Sequence, residues 1–511
     1  MKKPFSAAPL SAALLFAVLL LTPLYGCDMA EVLLGDGEPA ATAAPEATEA
    51  PTVLDQSNMG LGDGNLGAYY DQKQLVSLDL TGNDLSVSAV SSLMAALPGC
   101  DIRWSVPLGG ARYDSASTEL TVDGPTGEEL QNLTLFPQLA ACTVSGCTDY
   151  AALAGLPALL PGVNVAYTVD VGGVVCQSTD EALDLTNAAL HDGADLLAAM
   201  AALPNVKNVD LSGQALPAET LGALVDTYPE TEFLWTVTLY GVTIESTAET
   251  ADLGNANVTD LPGMGELREK LKLLPKLTRL DMCGCGVDEA TMMALQDEYE
   301  NVKFIFLLRI GAWEMRTDVK AFSKGNQHSF EGGKYLGPNM NLYDEDVAKL
   351  KYCTDLVALD IGHGFKLTNI EVVRYLPHLR FLIIAMQKIE DLTPIGTLTE
   401  LEYLETFQNP VSDLTPLLNC KNLKCLNIST NVRKGENGKE YPDPAVIMQM
   451  TSLTRLWCIR DNFSKEDIAA IQAALPDCVI CATGTHSTSN NWRDNDLYVE
   501  MQTLFNNPIL D

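Results

Sequence analysis

The sequence predicts an α/β solenoid: a curved parallel sheet with helices and loops on its convex side, and β-hairpins inserted into the N-terminal cassettes. Three observations carry this expectation. Leucines recur every 22 residues in the second half, a longer cassette recurs in the first half, and 511 residues are more than one compact core usually holds.

The shorter period is the sharper one. Leu376, Leu398 and Cys420 are 22 apart, as are Leu379, Leu401 and Leu423, and again Leu382, Leu404 and Leu426. The segments "IEDLTPI" from Ile389 and "VSDLTPL" from Val411 also sit one period apart. Each unit reads L-x-x-L-x-L-x-x-N-x-L, with Asn409 and Asn431 at the polar position and Gln387 there once. This pattern resembles the leucine-rich repeat, and the D-L-T-P-L form is similar to the internalin type of bacterial surface proteins. Looser turns are found at Leu356-Leu359-Ile361 and Leu453-Leu456-Cys458. A leucine-rich repeat solenoid is what the resemblance implies. One turn cannot bury its own leucines, whereas stacked turns share a core, and the asparagine satisfies backbone groups of adjacent coils.

The first half repeats on a longer unit. "LVSLDLTGNDL" from Leu75 leads into "VSSLMAALPGCDIRW", an amphipathic helix followed by a strand. The order returns in "VKNVDLSGQAL" and "LTRLDMCGCGV", with a more divergent copy at "LAACTVSGC". After each helix comes an apparent hairpin: "WSVPLGGARYDS", "YTVDVGGVVCQS", "WTVTLYGVTIES" and "FLLRIGAWEMRT". Their leading aromatics, Trp104, Tyr167, Trp235 and Phe306, are 63, 68 and 71 residues apart.

The expected organisation is a signal peptide at 1–26, a flexible spacer at 27–60, long-cassette repeats at 61–325, internalin-like repeats at 326–485 and a terminal cap or tail at 486–511. Lys2 and Lys3 precede the apolar run Ala12–Leu21. The "LYGC" that follows resembles the lipobox of bacterial lipoproteins, which implies a lipid on Cys27 and a cell-surface, extracellular location. A plain secretory signal or a retained membrane anchor is the alternative. "EPAATAAPEATEAPT" from Glu38 has almost nothing to bury and reads as a spacer.

A formal charge of −35 argues against nucleic acid as a partner. Thirteen cysteines invite a disulfide framework, but Asn83, Cys147, Gln214 and Cys285 fall on one turn position, which favours structural thiols. Cys283 and Cys285 lack further zinc ligands nearby, and Cys478 and Cys481 read as a packing pair or a disulfide. The five histidines accompany no hydrolase, Walker or dinucleotide motif. The acidic groups in "GVDEA" and "NLYDEDVAKL" fall at helix starts, where they complement the dipole. No enzyme, cofactor or metal is therefore expected.

In this repeat, positions 3, 5, 7 and 8 face outward on the concave sheet. The early cassettes place small and polar residues there: Ser77, Asp79, Thr81, Asn208, Asp210, Arg279 and Asp281. The late turns place Phe381, Ile383, Met386, Tyr403, Glu405, Phe407, Arg455, Trp457 and Arg460 there. Aromatic and arginine side chains at strand spacing mark an interaction surface. These nine residues are the expected ligand-binding set, and the expected function is binding of a macromolecular partner, a host or bacterial surface protein first and a glycan second. The alternatives are a structural envelope lipoprotein and a hydrolase with a carboxylate site. The loop 432–444, or the tail with Trp492, Tyr498 and Phe505, could instead cover the patch.

Overall fold

The computed structural model describes residues 52–261, 263–325, 334–335 (backbone only), 341–435 and 438–508. The signal peptide, Cys27 and the spacer as far as residue 51 lie outside the described residues.

The body begins earlier than composition suggests. Within the expected spacer, β1 (Thr52–Asp55) pairs in parallel with β2 (Leu75–Leu80). Leu54 packs against the first core layer. Asn83 then ties the following turn down: its Nδ2 donates to the Gln56 and Leu80 carbonyls, and its Oδ1 accepts from Leu61 N–H. A single four-residue edge strand carries no periodic signal, so its pairing was invisible in composition.

Four cassettes follow one plan. In the first, β1 and β2 are joined by β3 (Asp101–Leu108), which turns back antiparallel into β4 (Ala111–Asp114). The second comprises β5 (Glu119–Asp123), β6 (Ala141–Ser145), β7 (Asn164–Val171) and the returning β8 (Val174–Gln177). The third has β9 (Ala182–Asp184), β10 (Asn208–Asp210) and β11 (Glu232–Leu234), then a hairpin of β12 (Thr236–Leu239) and β13 (Val242–Glu245). The fourth has β14 (Thr250–Asp252), β15 (Arg279–Asp281) and β16 (Lys303–Ile305), then β17 (Leu307–Ile310) and β18 (Trp313–Arg316).

One interaction recurs at every junction between parallel strand and hairpin. The buried backbone N–H of Trp104, Tyr167, Trp235 and Phe306 donates to the hydroxyl eleven residues on: Ser115 (3.0 Å), Ser178 (3.2 Å), Ser246 (3.1 Å) and Thr317 (3.2 Å). Each hydroxyl-bearing residue returns its own N–H to the aromatic residue's carbonyl. The aromatic fills the core while the hydroxyl satisfies the donor that the change of strand direction leaves without a ladder partner.

The fifth body is a seven-stranded parallel sheet. It starts at β19 (Ala321–Ser323), so the expected division after residue 325 falls one strand too late. A short β20 (Lys334–Tyr335) pairs back onto β18. The sheet continues through β21 (Ala358–Asp360), β22 (Phe381–Ile383), β23 (Tyr403–Glu405) and β24 (Cys425–Asn427). A small hairpin, β25 (Arg433–Gly435) and β26 (Gly438–Glu440), interrupts the coils before β27 (Arg455–Trp457) and β28 (Val479–Cys481) complete the sheet.

Register follows the period. Leu382, Leu404, Leu426 and Leu456 are direct partners across adjacent strands, and all are buried in the inner core. The polar position builds a ladder. Asn409 Nδ2 donates to the Ile384 and Thr406 carbonyls, Asn431 Oδ1 accepts from Asn409 N–H, and Asp461 Oδ1 accepts from Asn431 N–H at 2.8 Å. The architecture is mixed α/β, with parallel strands stacked coil on coil around a shared leucine core.

Candidate functional site

Every strand of the terminal sheet sends one side chain into the inner core and its neighbours to the opposite face. On that second face Phe381, Ile383, Tyr403, Phe407, Cys425, Trp457 and Ile459 form a separate apolar cluster. The sequence-based assignment of which residues leave the inner core is therefore matched by the coordinates. The expectation that they meet solvent is not.

Trp492, Met501 and Phe505 of the C-terminal segment complete the same cluster. Phe381, Ile383, Tyr403, Glu405, Phe407 and Trp457 are buried beneath that segment; Met386 and Arg455 are half-buried, and Arg460 alone is exposed. The ligand-binding set thus corrects to a set already occupied, and the physical reason is apolar area. A row of aromatics at strand spacing is stabilised by any covering apolar surface, at roughly 25 cal/mol per Å² removed from water, and the terminal helix Asp496–Asn506 supplies one in cis. The loop 432–444 takes no part, because its hairpin points to solvent and contributes no residue to the cluster.

At the centre lies Glu405, 0% exposed. Its Oε1 accepts from the Tyr403 hydroxyl (2.6 Å), Trp492 Nε1 (2.7 Å) and Arg493 Nε (3.2 Å), and its Oε2 accepts from an Arg493 guanidinium nitrogen at 2.9 Å. A carboxylate this deep is tolerable only with a cation and its lone pairs satisfied, and both conditions are met here. Burial, with Glu405 alongside, pushes the Tyr403 phenol well above its usual range. The Trp492 ring stands between Tyr403 and Trp457, with centroids 5.3 Å and 5.2 Å away.

Four further bonds run from face side chains to main-chain carbonyls of the segment. Arg460 donates to Thr485 (2.9 Å), Asn427 to Ser487 (3.0 Å), Trp457 Nε1 to Ser489 (2.8 Å) and Arg455 to Asn491 (2.7 Å). On the rim Arg380 bridges Glu402 and Glu500. Sequence reasoning named the aromatics but not Arg493 or Arg380; the one signal for Arg493 was its place beside Trp492 in "NNWRDND".

The N-terminal cassettes present a different second face. Asp79, Asp184, Asp210, Asp252 and Asp281 each accept the backbone N–H two residues on, a local turn that explains the recurrent aspartate between two apolar residues at strand ends. Over β9–β11 an uncovered hollow of about 570 Å³ is edged by Asp184, Asn208, Asp210, Glu232, Glu245 and Thr247, with no lysine or arginine among its lining residues. Over β15 and β16 the charges are mutually paired instead: Arg279 with Asp318, Arg316 with Asp281, and Lys303 with Asp355.

Twelve described cysteines are free thiols, Cys478 and Cys481 among them, so the disulfide considered for that pair is absent. Among the described residues, no group of three or more His, Cys, Asp or Glu is placed to hold a metal ion, and no helix is long and apolar enough to cross a membrane.

No protein-family model matches the chain. No curated protein matches it either. Among solved structures, an internalin from Listeria monocytogenes aligns at 16% identity, covering 74% of this chain and 91% of that one with a TM-score of 0.25. Internalin C2 of the same organism aligns at 15% identity, covering 68% and 84%, with a TM-score of 0.19. A leucine-rich repeat protein of Leptospira interrogans aligns at 16% identity, covering 85% and 96%, with a TM-score of 0.24. At such scores the fold rests on the coil geometry described above.

Proposed function

We propose that the protein is a non-enzymatic binding scaffold, held at the cell surface by a lipid on Cys27, that captures a protein partner on the second face of its N-terminal cassettes. The observation that supports this reading is the contrast between the two faces: the late coils are sealed, whereas the hollow over β9–β11 is uncovered. Its carboxylates favour a partner segment rich in lysine or arginine and oppose nucleic acid, as does the overall charge of −35. A glycan is the second choice of partner.

The test is a charge reversal, Asp210→Lys with Glu232→Lys, assayed against a lysine-rich peptide and against surface proteins eluted by salt. Salt-sensitive binding by the parent chain that the double variant loses supports the reading. Equal binding by both chains contradicts it. Acylation of Cys27 is tested separately by mass spectrometry of the mature N-terminus.

A further inference from the structure

We infer that the second face of the terminal sheet is a polypeptide-binding surface, occupied in cis by residues 485–508, and that its partner in trans is a protein segment carrying adjacent indole and guanidinium groups ahead of a short amphipathic helix. The inference concerns a different surface from the reading above and does not depend on it.

Three observations carry it. First, the inner core is complete without the occupant, since no residue after Cys478 belongs to its buried set. The segment therefore covers the solenoid and does not build it. Second, the face recognises the segment as a ligand site recognises a peptide. Arg460, Asn427, Trp457 and Arg455 donate to four main-chain carbonyls at alternate residues, 485 to 491, and such bonds form with any chain of suitable path. Specificity is concentrated at Glu405, which reads one indole N–H and one guanidinium. Third, the segment joins the body through Thr483, Gly484, Thr485 and His486, which are all exposed and belong to neither apolar cluster, so that this connection is held by hydrogen bonds and not by core packing. A competing segment has to match the Trp492–Arg493 pair and the apolar stripe of Met501 and Phe505, and the cis segment then acts as a built-in competitor that lowers apparent affinity by the fraction of time it is bound.

The experiment uses the full-length chain and a fluorescein-labelled peptide of residues 483–508 as probe. A chain carrying Trp492→Ala and Arg493→Ala, with its own anchor weakened, should bind the probe at least about tenfold more tightly than the parent does. A probe carrying the same two alanines should gain nothing. A folded double variant that binds the probe no better than the parent overturns the inference. Hydrogen exchange on the parent chain provides a second arm that needs no variant. The amides of 485–508 should exchange at least about tenfold faster than those of β22–β24, as a separately opening unit does. Exchange of both at one common rate overturns the inference as well.

Discussion

Asp461 ends the ladder that Asn409 and Asn431 build, and it brings a carboxyl where its predecessors bring a carboxamide. Its Oδ1 accepts from Asn431 N–H, but Oδ2 is buried without a partner, as is the Nδ2 of Asn431 one rung earlier. Burial pushes its pKa up to about 8, against the pull of the Asn431 and Thr430 N–H groups. The folded chain then holds one more proton than the unfolded chain between about pH 4 and pH 8. Stability contributed by this group is complete below that window and is lost as pH rises through it. Asp461→Asn should remove that slope and add about 1–3 kcal/mol at pH 8, because a carboxamide has no charge to desolvate there; denaturant melts of both chains across pH 4 to 9 check it, and parallel curves contradict it. At the same scale, Phe407→Ala or Trp457→Ala removes a side chain packed under the terminal segment. Each should cost about 3–5 kcal/mol in equilibrium unfolding, whereas an exposed binding residue would cost under about 0.5 kcal/mol.

Among the elements, the hairpin junctions show how much a repeat reveals. The strings beginning at Trp104, Tyr167, Trp235 and Phe306 each close on a serine or threonine eleven residues later, and that hydroxyl is the one that meets the aromatic residue's N–H. Ser115→Ala leaves the Trp104 N–H buried and short of one acceptor, so a loss of about 1–3 kcal/mol is expected, with threonine at the same site recovering most of it. A thermal melt of the two variants decides between a hydroxyl role and mere volume. These junctions and the 22-residue leucine register were legible because they recur, and repetition turns a weak preference into a pattern. β1 was not, since a single four-residue strand paired only with β2 leaves no trace in composition. The cover over the late coils was legible only as a possibility. Trp492 and Glu405 are 87 residues apart, in segments with no common period, and only the folded path brings them together.

Across the whole molecule, one sheet design serves two ends. In the N-terminal cassettes the second face carries turn-forming aspartates and remains wet, while in the terminal sheet it carries aromatics and is dry. The second half of that contrast is the decisive one: the late face is sealed by the chain's own C-terminal segment. Cys425 reports on it directly, because it lies on that face between Tyr403 and Arg455, with burial pushing its thiol up to about 12. Pulsed alkylation of the native full-length chain, read by mass spectrometry, compares Cys425 with the half-buried Cys100 outside the seal. Cys100 should react first, and Cys425 should become reactive only when the terminal segment is released by Trp492→Ala with Arg493→Ala or by denaturant. Labelling of Cys425 as fast as Cys100 in the unaltered native chain would contradict it.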